Sequence, residues 1–98
     1  MKFVLNFTTS ASATLKKLKY SCDSVKGYKA IVKTLRFLQE NPRHPSLQSH
    51  KYHSIKGPEG QEVFEIYAEQ DTPAAYRIFF YYGPQKGEIT IFAITPHL

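Results

Sequence analysis

One strand, two helices and then a four-strand antiparallel meander, with both helices packed on one face of the sheet, is the α+β architecture this sequence predicts. Three observations carry it. Between residues 25 and 40 apolar residues recur at helical spacing. After "NPRHPS" (41–46) the pattern changes to short β-rich runs. The links between those runs, "KGPEGQE", "EQDTPA" and "GPQKG", are turn chemistry too short for crossover connections, so successive strands run antiparallel.

The elements follow in order. "KFVLNFT" (2–8) reads as a short first strand, and the polar "TTSASAT" offers Thr8, Thr9 or Ser10 as the N-cap of a helix running to about Tyr20. Lys16, Lys17 and Lys19 fall in its last turn, where cations suit the negative end of the helix dipole. Asp23 or Ser24 can cap a second helix from about Val25 to Glu40, whose apolar stripe is Val25, Tyr28, Ile31, Val32, Leu35 and Leu38. Lys26, Lys29, Lys33 and Arg36 recur on a different face of it, either as a solvated face or as a contact for phosphate or an acidic partner. Pro42 and Pro45 end the helix. Strands are then expected at about 47–55, 63–68, 76–82 and 88–95.

All 98 residues are expected to form one domain with a single core. Thirteen Lys and Arg against eight Asp and Glu give a net charge of +5, which favours an acidic partner such as nucleic acid or an acidic protein. Cys22 is the sole cysteine, so no internal disulfide and no multi-cysteine zinc site can form, and a reducing cytoplasm fits best. No run approaches the length of a membrane span or of a signal-peptide core. The spacing of His44, His50, His53 and His97 matches no zinc motif, so no metal is expected.

The strand "AYRIFFYYG" (75–83) carries one charge, Arg77, in the most apolar stretch of the chain. Alternation places Ile78 and Phe80 on the helix-covered face and Arg77, Phe79 and Tyr81 on the other. A hairpin register with Ala68 opposite Tyr76 sets Tyr67 across from Arg77 and Glu65 across from Phe79. The second face then presents a guanidinium, a carboxylate and several rings, Tyr81 among them. That is either a nucleotide-binding surface or a plain Arg77–Glu65 ion pair. His97, just past the last strand, is a candidate for acid/base work or an end without a role.

Several segments together resemble the HigB-like and RelE-like members of the RelE/ParE toxin superfamily. "NPRHPSLQSHKYHS" is similar to their P-x-x-P-S-L-x-x-H segment, "AYRIFFYY" to their arginine-bearing strand, and "ITIFAITPHL" to their closing strand with a terminal histidine. The resemblance spans essentially the whole chain and agrees with its order of elements. It implies a toxin that cuts mRNA on the ribosome without metal or cofactor, by attack of a ribose 2′-oxygen on the adjacent phosphate, and that is neutralised by an antitoxin protein. By the same resemblance, Arg77 would stabilise the phosphate charge, His97 would transfer a proton, and Glu65 would act as base or orient Arg77. His50 and Lys51 would touch RNA, together with Lys29, Lys33 and Tyr81 from the pattern. Many members continue past this histidine with residues that complete the site, whereas this chain stops at Leu98. A catalytically inactive relative that binds RNA or a partner protein is therefore the alternative, and a gyrase-poisoning toxin of the ParE branch, which lacks such histidines, a more distant one.

Overall fold

The first helix begins where its polar leader says it should. Thr8 is extended (φ −69°, ψ 164°) and its Oγ1 accepts from the Ala11 N–H at 3.2 Å, while its own hydroxyl donates to the Phe92 carbonyl at 2.9 Å. One residue thus caps the helix and ties it to the last strand. The computed structural model describes residues 2–20, 25–68 and 76–96. Within them the order is β1 (Val4–Phe7), α1 (Thr9–Lys19), α2 (Val25–Glu40), β2 (His50–Lys56), β3 (Glu62–Tyr67), β4 (Tyr76–Tyr82) and β5 (Glu88–Pro96). The expected caps Asp23 and Ser24 and the "EQDTPA" turn lie outside the described residues.

The expected antiparallel meander is present as β2–β3–β4–β5, and β1 adds a fifth strand that runs parallel to β5, giving the order β1-β5-β4-β3-β2. The sheet is therefore mixed. The α1–α2 connection carries the chain from β1 to β2 at the far edge of the sheet, and the meander then returns it to β5 beside β1.

The strand expected from Leu47 starts three residues later. Pro45–Leu47 instead form one 3₁₀ turn, capped by His44, whose Nδ1 accepts from the Ser46 N–H at 3.1 Å, and closed by Gln48 at φ 48°. His44 is thus a capping side chain on the surface, in keeping with a turn role.

Both helices pack on the face of the sheet that bears Ile66, Ile78, Phe80, Ile89, Ile91 and Ile94, and they meet it with Ala11, Leu18, Ile31, Leu35 and Leu38. Those residues are nearly or fully buried, and Phe64 stacks on Phe80 at 5.6 Å beside them. Tyr28 and Val32 of the expected stripe are half-buried. The basic residues Lys26, Lys29, Lys33 and Arg36 are exposed on the outer side of α2.

A β-bulge between Phe79 and Phe80 shapes the second face. Phe79 pairs with Ala93 and Phe80 with Ile91, so Phe92 is the extra residue on β5. Alternation flips there, and Thr95, rather than Ile94, comes to lie opposite Arg77.

Candidate functional site

The β3–β4 register is the one alternation predicts: Tyr67 pairs with Arg77, Glu65 with Phe79 and Ile66 with Ile78. Arg77, Glu65, Tyr67, Phe79 and Tyr81 therefore share the face turned away from the helices. On that face Val63, Glu65, Phe79 and Tyr81 are buried. The rings bury one another: Tyr52 meets Phe79 edge-on at 4.9 Å, and Phe92 lies 6.1 Å from Phe79 and 6.3 Å from Tyr81. This face holds a small second apolar cluster. Its cause is the bulged Phe92, which adds a ring to this face.

Glu65 sits at the edge of that cluster and is 4 % exposed. A buried carboxylate requires compensation, and two cations or donors provide it. Arg77 Nη1 donates to Oε2 at 2.9 Å, and His50 Nε2 lies 2.7 Å from Oε1. His50 reaches Glu65 because β2 pairs with β3 at His50–Glu65. The three groups come from three neighbouring strands and form one line across the sheet, with the Tyr67 ring edge-on to the imidazole at 6.4 Å.

The two ends of this line differ. The Arg77 side chain is 28 % exposed, its guanidinium carbon lies 5.1 Å from the Phe79 ring centre, and the ring holds it in place from below. Its Nε and the hydroxyl of the opposing Thr95 are both buried with no hydrogen-bond partner among the described residues. The guanidinium is thus anchored through one nitrogen and retains donors for an anion. The His50 side chain is 57 % exposed, and its Nδ1 lies 3.1 Å from the Gln48 carbonyl oxygen. Both ring nitrogens face acceptors, and Nε2 is the donor to the Glu65 carboxylate. With one oxygen on each neighbour, Glu65 is a positioning carboxylate; of the two roles expected for it, orientation is the one its contacts fit.

The remaining expected residues are placed apart from this line. Lys51 pairs with Phe64, on the helix-covered side of the sheet, and its Nζ lies 3.1 Å from Glu62 Oε2. That hydrogen bond and the charge of Lys51 hold the Glu62 carboxyl below its usual value of 4.5. Tyr81 is buried in the ring cluster, which removes its faces from base stacking. Lys29 and Lys33 belong to α2 on the far side of the sheet; Lys33 lines, with Phe37, Leu47 and Tyr67, a groove of about 380 Å³ between α2 and the end of β3. His97 lies outside the described residues. Among those described, no cluster of three or more His, Cys, Asp or Glu could hold a metal ion, and no helix is long and apolar enough to cross a membrane.

No family model matches the chain, and no curated protein matches it in sequence. Solved structures do match it in shape. A chain of the archaeal RelE–RelB complex from Pyrococcus horikoshii superposes with a TM-score of 0.67 at 13% identity, covering 98% of this chain and 96% of that one. The YoeB/ParE toxin from Agrobacterium tumefaciens gives 0.68 at 12% identity over 97% and 99% of the two chains. The YoeB dimer from Staphylococcus aureus gives 0.63 at 15% identity over the whole of both. The chain has the RelE-like toxin fold. Among the described residues that framework is two helices on a five-strand sheet. The fold places Glu65, Arg77 and His50 on the sheet face that the two helices leave open.

Proposed function

We propose that this protein is a toxin of the RelE-like kind: an endoribonuclease that cleaves mRNA on the ribosome, without a metal, and is held inactive by a cognate antitoxin protein. The observation that carries the reading is the His50–Glu65–Arg77 line, a buried carboxylate holding two donors at the open face of the sheet. Supporting it are the sequence motifs and the likeness to toxins solved alone and in complex with RelB.

RNA cleavage by the neighbouring 2′-oxygen needs a base for the hydroxyl, cationic donors for the crowded phosphorane and an acid for the leaving oxygen. Arg77 supplies the cation: Glu65 fixes one nitrogen, Phe79 fixes the plane, and the rest of the fork meets the non-bridging oxygens. His50, tied to Glu65 beside Arg77, contacts the RNA next to the scissile phosphate. His97 is assigned proton transfer on the sequence resemblance. Phosphorus gains the 2′-oxygen and loses the 5′-oxygen, leaving a 2′,3′-cyclic phosphate and a 5′-hydroxyl; the proton removed from the 2′-hydroxyl is balanced by the one given to the 5′-oxygen.

Expression in a bacterial host tests this reading. Growth arrest that is relieved by Arg77→Ala and by His97→Ala is the expected result. Harmless expression of the folded protein supports the second reading, a non-catalytic RelE-fold protein, which the ready-made Arg77–Glu65 ion pair favours.

A further inference from the structure

Charge is divided unevenly along this chain. Eleven of the thirteen Lys and Arg lie within residues 2–56, which contain only two acidic residues, Asp23 and Glu40. The helical layer takes the largest share: Lys16, Lys17 and Lys19 end α1, and Lys26, Lys29, Lys33 and Arg36 run along α2. None of these seven takes part in an ion pair among the described residues, whereas Lys2, Lys51 and Arg77 do. An ordinary solvated helix face carries both signs and pairs them at three- and four-residue spacing. This one gathers four cations, and its one carboxylate, Glu40 at the C-terminal end of α2, pairs with Lys2 instead.

The geometry of the row is regular. At 100° per residue the four α2 cations fall within an arc of about 80°, centred opposite the buried Ile31, Leu35 and Leu38. They climb the helix axis over about 15 Å at 1.5 Å per residue. An exposed ring flanks each end of the layer. Tyr20, 73% exposed, follows α1 with the Lys19 ammonium 5.6 Å from its ring, next to a groove lined by Lys16, Lys19 and Tyr28. Phe37, 43% exposed, lies beside the His44 ring at 6.1 Å.

We infer that the outer face of α1 and α2 is a second RNA-binding surface, which grips single-stranded RNA by its phosphates along Lys26, Lys29, Lys33 and Arg36 and stacks bases on Tyr20 and Phe37. A row of cations without acidic partners among the described residues, flanked by isolated aromatic platforms, is what a sequence-independent single-strand surface requires. An acidic amphipathic segment would need a continuous apolar seam between the cations, and among the described residues Tyr20 and Phe37 are the two exposed large hydrophobics of this layer, one at each end. The surface lies on the opposite side of the sheet from Arg77 and Glu65, so RNA on it is outside the reach of the cleavage site. It would hold the protein on an RNA-rich body while the other face works, and it stands whether or not that face cleaves RNA.

Anisotropy of a fluorescein-labelled 2′-O-methyl RNA, which has no 2′-hydroxyl to attack, separates binding from cleavage. The full chain, titrated across a range of KCl, is compared with the K26Q/K29Q/K33Q/R36Q and R77A variants, with circular dichroism confirming that each is folded. The quadruple variant is expected to flatten the log–log salt slope by about 3 units, at roughly 0.7 for each phosphate that is no longer neutralised, and equally for two unrelated sequences. In the same assay R77A is expected to move the slope by about one unit or less. Y20A/F37A is expected to weaken binding at every salt concentration by about tenfold or more, with the slope unchanged. An unchanged slope in the quadruple variant overturns the inference. So does displacement of the RNA by polyglutamate of equal charge at equal concentration, which would assign the face to an acidic protein segment.

Discussion

Removing the charge of Glu65 while keeping its shape tests how the open face is held together. In the Glu65→Gln variant the amide oxygen can still accept from one neighbour, but its NH2 then points at a second donor, because Arg77 Nη1 and His50 Nε2 approach the two carboxylate oxygens separately at 2.9 and 2.7 Å. One charge-assisted hydrogen bond is lost, about 1.5–3 kcal/mol, and the other loses its charge. Two effects offset part of that. The variant no longer buries an anion, and Arg77 and His50, 28% and 57% exposed, can turn to water. A net loss of about 2 kcal/mol is expected, out of the ~5–15 kcal/mol typical of a domain, with a fall in Tm of about 10 °C for a chain this short. Urea unfolding followed by far-UV circular dichroism measures it, with the slope m unchanged. Combining it with Arg77→Met in a double-mutant cycle is expected to show about 1 kcal/mol or more of coupling. Stability within ~0.5 kcal/mol of the parent, or a coupling of zero, would refute the view that Glu65 is the clamp.

Thr8→Ala removes both the cap of α1 and the bond to the Phe92 carbonyl, and a loss of about 1–2 kcal/mol in urea unfolding is expected. Phe80, fully buried and stacked on Phe64, is a core anchor; Phe80→Ala is expected to cost about 3–5 kcal/mol, while the equally aromatic but exposed Tyr20→Ala should stay within ~0.5 kcal/mol. The Lys51–Glu62 pair sets a pH dependence. Because Lys51 lowers the folded-state value of Glu62 beneath 4.5, its stabilisation is present above that value and is lost as the pH falls through the lowered one. Lys51→Gln should therefore make stability fall less steeply below about pH 4.5, as read from urea midpoints in acidic buffers.

Most of the framework was legible because the sequence changes period once, from helical spacing before Pro42 to alternation after Leu47, and because the strands after Leu47 are separated by links that contain Gly or Pro. The β3–β4 register was legible for the same reason: one-residue slips would have buried Arg77 against the helices. The parallel pairing of β1 was not, since a run of only four residues fits an edge beside any strand.

His50 and Glu65 each stand out in the sequence, yet their contact is hidden there. Extending the Lys56–Glu62 pair back along β2 and β3 would set His50 opposite Ala68, and the irregularity between Lys51 and Lys56 shifts it by three residues to Glu65. Nothing in the residue types marks such a shift. The burial of Tyr81 is hidden likewise, because it depends on the bulge that turns Phe92 onto the same face.

The most direct test of the central claim is the chemistry of the cut ends. In a reconstituted translation reaction, the purified protein is expected to cleave ribosome-bound mRNA to a 2′,3′-cyclic phosphate and a 5′-hydroxyl, and Arg77→Ala to slow the reaction by about 10²-fold or more. Intact mRNA in the presence of folded protein, or full-rate cleavage by the Arg77→Ala variant, would contradict it.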